Sequence, residues 1–198
     1  MGDIGRVPMV VPLQFEATML FRSRFALAAS LALLGTGPLA AQAPAPDLTD
    51  PEVAHVAVTA NSIDVDAATF AQSRTTNAEV KQFAALMITD HNAVNAKAAA
   101  LAKKLGVTPK DNAVSQSLVA GAAKAHEALV PLKGAAFDKA YMAREVAYHQ
   151  AVLDALDKLL IPTTENADLK ALLTAVRPAI AAHLDHAKAL SAKLNAAS

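Results

Sequence analysis

The sequence predicts an all-α protein, an up-and-down four-helix bundle with an additional short helix between the second and third long helices. Three observations predict it. After residue 50 no strand-like alternation occurs, apolar residues recur at spacings of three and four along four long stretches, and the glycines and prolines fall between those stretches, with Pro178 the main exception. Seams of that period suit helices packed nearly parallel to one another. With 198 residues, 54% hydrophobic and 18% charged, the chain is long enough for one domain with a substantial core.

Residues 1–43 stand apart from this pattern and read as a leader with a secretory signal, the signal proper spanning about 19–43. Arg22 and Arg24 give the positive start, Phe25 to Leu34 the apolar segment, and Ala41-Gln42-Ala43 a small-x-small cleavage site, with cleavage after Ala41 as the alternative. That apolar run is shorter than the roughly 20 residues a bilayer span needs, so no membrane span is expected in the mature chain. Residues 1–18 precede Met19 and read either as a long leader or as a start placed too early. Export places the mature protein in the periplasm of a diderm host. Residues 44–50 form a Pro-rich linker, and residues 51–195 the bundle domain.

The first long helix is expected over 51–73, with Asp50 as N-cap, Pro51 in the first turn and the seam Val53, Val56, Ala60, Ile63, Ala67, Phe70. The second, over 77–105, opens on a capping box of Thr76 and Glu79 and closes on Lys103, Lys104 and Gly106. Its seam is Val80, Ala84, Met87, His91, Val94, Ala98, Leu101, Leu105. A short helix follows over about 115–130. The third long helix, 137–160, has the seam Met142, Val146, His149, Leu153, Leu156, Leu160. The fourth, 166–194, has Leu173, Val176, Ile180, His183, Ala187, Leu190, Leu194, with Pro178 expected to kink it.

Three seams thus each contain one histidine. His91, His149 and His183 lie within about three residues of their helix centres, or roughly 5 Å of axial rise, so a bundle brings them to one layer. Asp64 on the first helix, Asp90 beside His91 and Glu145 one turn before His149 add carboxylates at that level, and Asn61 an amide. Imidazoles and carboxylates on facing helices are how bundles hold divalent transition metals, here zinc, copper or iron. The metal ligands expected are His91, His149, His183, Asp64, Asp90 and Glu145. The same residues also suit a metal-free polar network in which Tyr141, Tyr148 and the acids satisfy the imidazoles. His186 falls at the edge of its seam, and His55 and His126 on the surface without partners.

Net charge is zero, which leaves no basic field for nucleic acid. There is no cysteine, so neither disulfides nor a thiol nucleophile are available, and no Ser-His-Asp arrangement or Gly-rich phosphate loop stands out.

The set Val80-Lys81-x-Phe83-Ala84-x-x-Met87-x-x-Asp90-His91, then Phe137-Asp138-x-x-Tyr141 with His149, then Pro178 and His183, resembles the ferritin-like family called domain of unknown function 4142, over residues 50–195. The resemblance implies an exported helical bundle, often labelled an outer-membrane protein, with no settled biochemical activity. Neither Met87-x-x-Asp90 nor Met142-x-x-Glu145 is the Glu-x-x-His motif of ferritin-like di-iron proteins, and Glu145-x-x-x-His149 has the wrong spacing, so oxygen-activating di-iron chemistry is not expected. The expectation is a non-enzymatic binder of a metal, a small ligand or an envelope protein partner in envelope or stress physiology. The alternative is a metalloenzyme with a redox or hydrolytic role at the same layer.

Overall fold

The computed structural model describes residues 47–197, so the signal and the first three residues of the linker expected from the sequence, 44–46, lie outside the described residues. Every element among them is helical: α1 (Asp50–Arg74), α2 (Ala78–Leu105), α3 (Ala113–Leu129), α4 (Gly134–Ala155), a π-helical turn (Leu156–Leu160), α5 (Ile161–Thr163) and α6 (Ala167–Ala196). The long helices form a bundle in which α1 packs most extensively against α2 and α4 against α6, while the short α3 lies on α1 and α4. No helix among the described residues is long and apolar enough to cross a membrane.

Local chemistry sets the helix ends, and in two places differently from expectation. The N-cap of α1 is Thr49, whose amide and hydroxyl both donate to the Glu52 carboxylate at 3.0 and 2.7 Å. Asp50 instead accepts from the amides of Glu165 and Asn166, at 2.9 and 2.8 Å, and ties the start of α1 to the turn before α6. At α2 the cap is Asn77 rather than Thr76, and its side-chain oxygen accepts from the N–H groups of both Glu79 and Val80. Gly106 ends α2 with φ 65°, the left-handed conformation anticipated for it. The third long helix begins at Gly134 and continues through the π turn into α5, and α6 runs unbroken through Pro178, whose ring faces outward.

Two apolar clusters fill the bundle. One gathers Phe83, Met87, Phe137, Tyr141, Met142 and Leu190, with the rings of Phe137 and Tyr141 nearly parallel at 6.2 Å. The other gathers Val53, Val56, Leu153, Leu156, Leu173 and Ile180. Along every long helix the polar residues of interest lie on the stretch at the edge of one cluster or between the two: Asn61 and Asp64 on α1, His91 after Met87 on α2, Glu145 and His149 between Met142 and Leu153 on α4, His183 between Ile180 and Ala187 on α6. Asp138 of the Phe-Asp-x-x-Tyr element serves the fold, since it accepts from the Thr75 hydroxyl at 2.6 Å and fastens α4 to the α1–α2 turn.

The seam of α1 is corrected by the structure. After Val56 the buried positions are Asn61, Asp64, Ala68 and Ala71, while Ala60, Ile63, Ala67 and Phe70 are half-buried. The buried stripe advances by one residue because α1 also packs on α3, which takes Phe70 on its flank: the Phe70 ring lies 4.5 Å from that of His126. Asp64 is thereby completely buried rather than beside the seam.

Candidate metal centre

His91, His149 and His183 are all buried, and each offers a ring nitrogen such that the three nitrogens lie within 4.8 Å of one another. The ring centroids are 5.3 to 5.7 Å apart pairwise. The convergence expected from the three seams is therefore present. Asp64 joins it, with Oδ2 3.1 Å from His91 Nε2 and 3.8 Å from His149 Nε2.

The outer nitrogens of the rings determine what the inner ones can do. Asn61 Nδ2 donates to the Ala57 carbonyl at 2.9 Å, which turns Asn61 Oδ1 toward His91 Nδ1 at 2.6 Å, so Nδ1 carries the hydrogen. His149 Nδ1 is 3.0 Å from the Glu145 carbonyl oxygen, which can only accept. His183 Nε2 donates to Asp90 Oδ2 at 2.9 Å. In the neutral imidazoles this leaves lone pairs on His91 Nε2, His149 Nε2 and His183 Nδ1. Those three atoms and Asp64 Oδ2 are buried with no hydrogen-bond partner among the described residues.

Charge reinforces the arrangement. Burial holds His91 down at about 4, against the opposite pull of Asp64, and holds His149 below the ordinary imidazole value. Burial is the largest influence and penalises the Asp64 carboxylate, but the charged groups facing it, the Arg144 guanidinium first, hold Asp64 below its ordinary value and keep it ionised. Arg144 Nη1 reaches Asp64 Oδ1 at 2.8 Å and Glu145 Oε1 at 2.6 Å. Burial and the neighbouring Asp64 charge push Glu145 well above the carboxylate range, so one guanidinium serves one carboxylate and one neutral acid. A lone pair on His91 Nε2 and the anionic Asp64 Oδ2, 3.1 Å apart, repel unless a proton or a metal ion lies between them.

The other expected residues take different places. Asp90 is partly exposed and orients His183 from outside, and Glu145 groups with Asp64 and His149 rather than with the three imidazoles. Neither tyrosine satisfies a histidine: Tyr148 donates to the Ala60 carbonyl at 2.8 Å, and the Tyr141 hydroxyl is buried without a well-formed hydrogen bond. His186 is exposed with its ring edge on Phe83, and His126 is exposed beside Phe70. His55 has partners after all, since it is half-buried near Thr59 and Asp111. Arg144 is the residue that sequence reasoning missed. Its signal was available: a layer of buried carboxylates demands a cation, and Arg144 adjoins Glu145.

Fold and layer together define a class, the all-helical bundle with imidazoles and carboxylates gathered in its interior. More particularly, the chain belongs to the family described as Domain of unknown function (DUF4142), whose model matches residues 36–190. The fold is similar to that of a solved structure described as CopM in the Cu(II)-bound form, with a TM-score of 0.56 and 14% sequence identity over 75% of this chain and 99% of that one. No curated protein matches the chain.

Proposed function

We propose that this protein is an exported, non-enzymatic metal-binding bundle that holds one divalent transition-metal ion, copper(II) foremost, through His91 Nε2, His149 Nε2, His183 Nδ1 and Asp64. The single observation that carries the reading is the set of three partnerless imidazole nitrogens, buried within 4.8 Å of one another, whose opposite nitrogens are each held by a polar group. Metal-ligating histidines are oriented in this way by outer partners, which makes Asn61, Asp90 and the Glu145 carbonyl supports rather than ligands. Donors about 2.1 Å from a common ion lie about 3.0 Å apart in the tetragonal geometry of copper(II) and about 3.4 Å apart in the tetrahedral geometry of zinc, a modest closure from the present spacing. Imidazole suits copper and zinc, and copper binds an N/O set more tightly than zinc. The copper form of a structural neighbour agrees with that order of preference. Four protein donors close the coordination sphere, which favours holding an ion over catalysis at it.

Titration calorimetry with Cu(II) and Zn(II) on chelator-treated protein tests this. One ion per chain is expected, with affinity reduced by at least about tenfold in His91→Ala, His149→Ala and His183→Ala and unchanged in His126→Ala. Equal, weak binding by all four variants and the parent refutes the metal centre and leaves a metal-free polar network.

A further inference from the structure

The seam of α2 stays apolar beyond His91, yet its residues are not covered. Val94, Ala98, Leu101 and Leu105 repeat at 4-3-4 spacing and are only half-buried, whereas Val80, Phe83, Ala84 and Met87 on the same helix are completely buried. Space remains between this half of α2 and the first half of α6. It amounts to about 390 Å³ and is walled by Ala57, Val94, Leu101, Leu156, Leu173 and Val176, among others. One end of it meets Asn61, His91, Tyr148 and His149 of the polar layer.

We propose that this cavity is a second ligand site, one that takes a neutral, largely apolar small molecule of aryl or alkyl kind carrying a single N–H or O–H donor. Size permits it, since ligand sites run from about 300 to 1,000 Å³ and a cavity of about 150 Å³ already accommodates benzene. Composition narrows the class. Among the described residues no lysine or arginine lines the cavity, and the one charged residue that does, Asp50, has both oxygens engaged by the Glu165 and Asn166 amides. A charged ligand would lose its hydration there and gain no counter-charge. The donor is specified by Asn95, which lines the cavity with a buried Oδ1 that has no hydrogen-bond partner. Alanines at 54, 57, 98, 99 and 102 make the room, as larger side chains at those positions would fill it. The inference is independent of the metal centre, although His91 and His149 form part of both.

N-phenyl-1-naphthylamine, two aryl groups joined by one N–H, is a suitable probe, and 1-anilinonaphthalene-8-sulfonate supplies the same skeleton with an added negative charge. With chelator-treated protein the neutral dye is expected to saturate at one per chain and the sulfonate to bind at least about tenfold more weakly. Ala98→Trp fills the cavity and is expected to weaken the neutral dye by at least about tenfold. Asn95→Leu removes the acceptor at similar volume and is expected to weaken it by about threefold to tenfold. Val119→Ser, at an exposed apolar residue of α3, is expected to leave binding unchanged. The proposal is overturned if the neutral dye does not saturate, if the sulfonate binds equally well, or if a folded Ala98→Trp binds undiminished. Should Ala98→Trp fail to fold by circular dichroism, the Asn95→Leu and sulfonate comparisons decide alone. A dimer in sedimentation that the dye cannot enter would show that a second copy covers the cavity, which also overturns it. Because the dye is measured without metal, loss of metal binding and loss of dye binding report on different claims.

Discussion

Arg144→Met tests the charge arrangement of the polar layer. The guanidinium is the positive partner of Asp64 at 2.8 Å, contacts Glu145 at 2.6 Å, and lies over the Tyr148 ring with its central carbon 4.2 Å from the centroid. Methionine keeps much of the volume and removes the charge. The Asp64 carboxylate, with no exposure, would then be an uncompensated buried anion, a change that costs about 3 to 5 kcal/mol. For a domain of this size each kcal/mol is worth about 2 to 4 °C, so the midpoint of thermal unfolding should fall by about 6 to 20 °C. Thermal melts in chelator, with Arg177→Met as the comparison, measure it. The Arg177–Asp157 pair is at the surface, with both side chains about 40% exposed, and its loss should be far smaller. Equal losses for the two variants would refute the buried-charge argument. Added Cu(II) or Zn(II) should restore part of the Arg144→Met loss, because an ion at Asp64 replaces the missing positive charge and stabilises the folded state that binds it.

Leu153→Ala, at a position 7% exposed in the second apolar cluster, should cost about 2 to 5 kcal/mol, and Lys103→Ala on an exposed helix end less than about 0.5; a denaturant series compares them. Burial lowers His91 to about 4 from 6.5, so the unfolded chain takes up a proton below 6.5 that the folded chain refuses. Stability of the metal-free protein should thus be complete above pH 6.5 and fall by up to about 1.4 kcal/mol per pH unit between 6.5 and 4, and His91→Asn should flatten that profile in urea midpoints. The low value also means that metal affinity persists well below pH 6.5, the point at which free imidazoles would lose it. If residues 19–43 act as a signal, mass spectrometry of the exported fraction should find the mature N-terminus between Gln42 and Pro44; an intact leader on membrane-bound protein would contradict it.

Helix number, helix order and the level of the three histidines were legible in the sequence. A 3-4 seam is a local property, and His91, His149 and His183 each occupy one, so counting along each helix was enough to place them at one height. Helix ends were less legible, because Thr49 or Asp50, and Thr76 or Asn77, are both chemically competent caps and the choice depends on which has another partner to meet. Asp50 was drawn off by the turn before α6, a segment more than a hundred residues away.

The proposed donor set rests on tertiary structure. From the sequence Asp64, Asp90 and Glu145 are equivalent carboxylates near one level. Packing of α3 on α1 rotates Asp64 into the interior, partial exposure leaves Asp90 to hold His183 from outside, and Arg144 claims Glu145. The cavity was hidden for the same reason: Val94, Ala98, Leu101 and Leu105 are a regular seam, and whether a seam is covered depends on how closely a helix distant in the chain approaches it. Periodicity along one helix determines which face is apolar. Which nitrogen keeps its lone pair, and which apolar face remains open, depend on contacts between helices that no local pattern records.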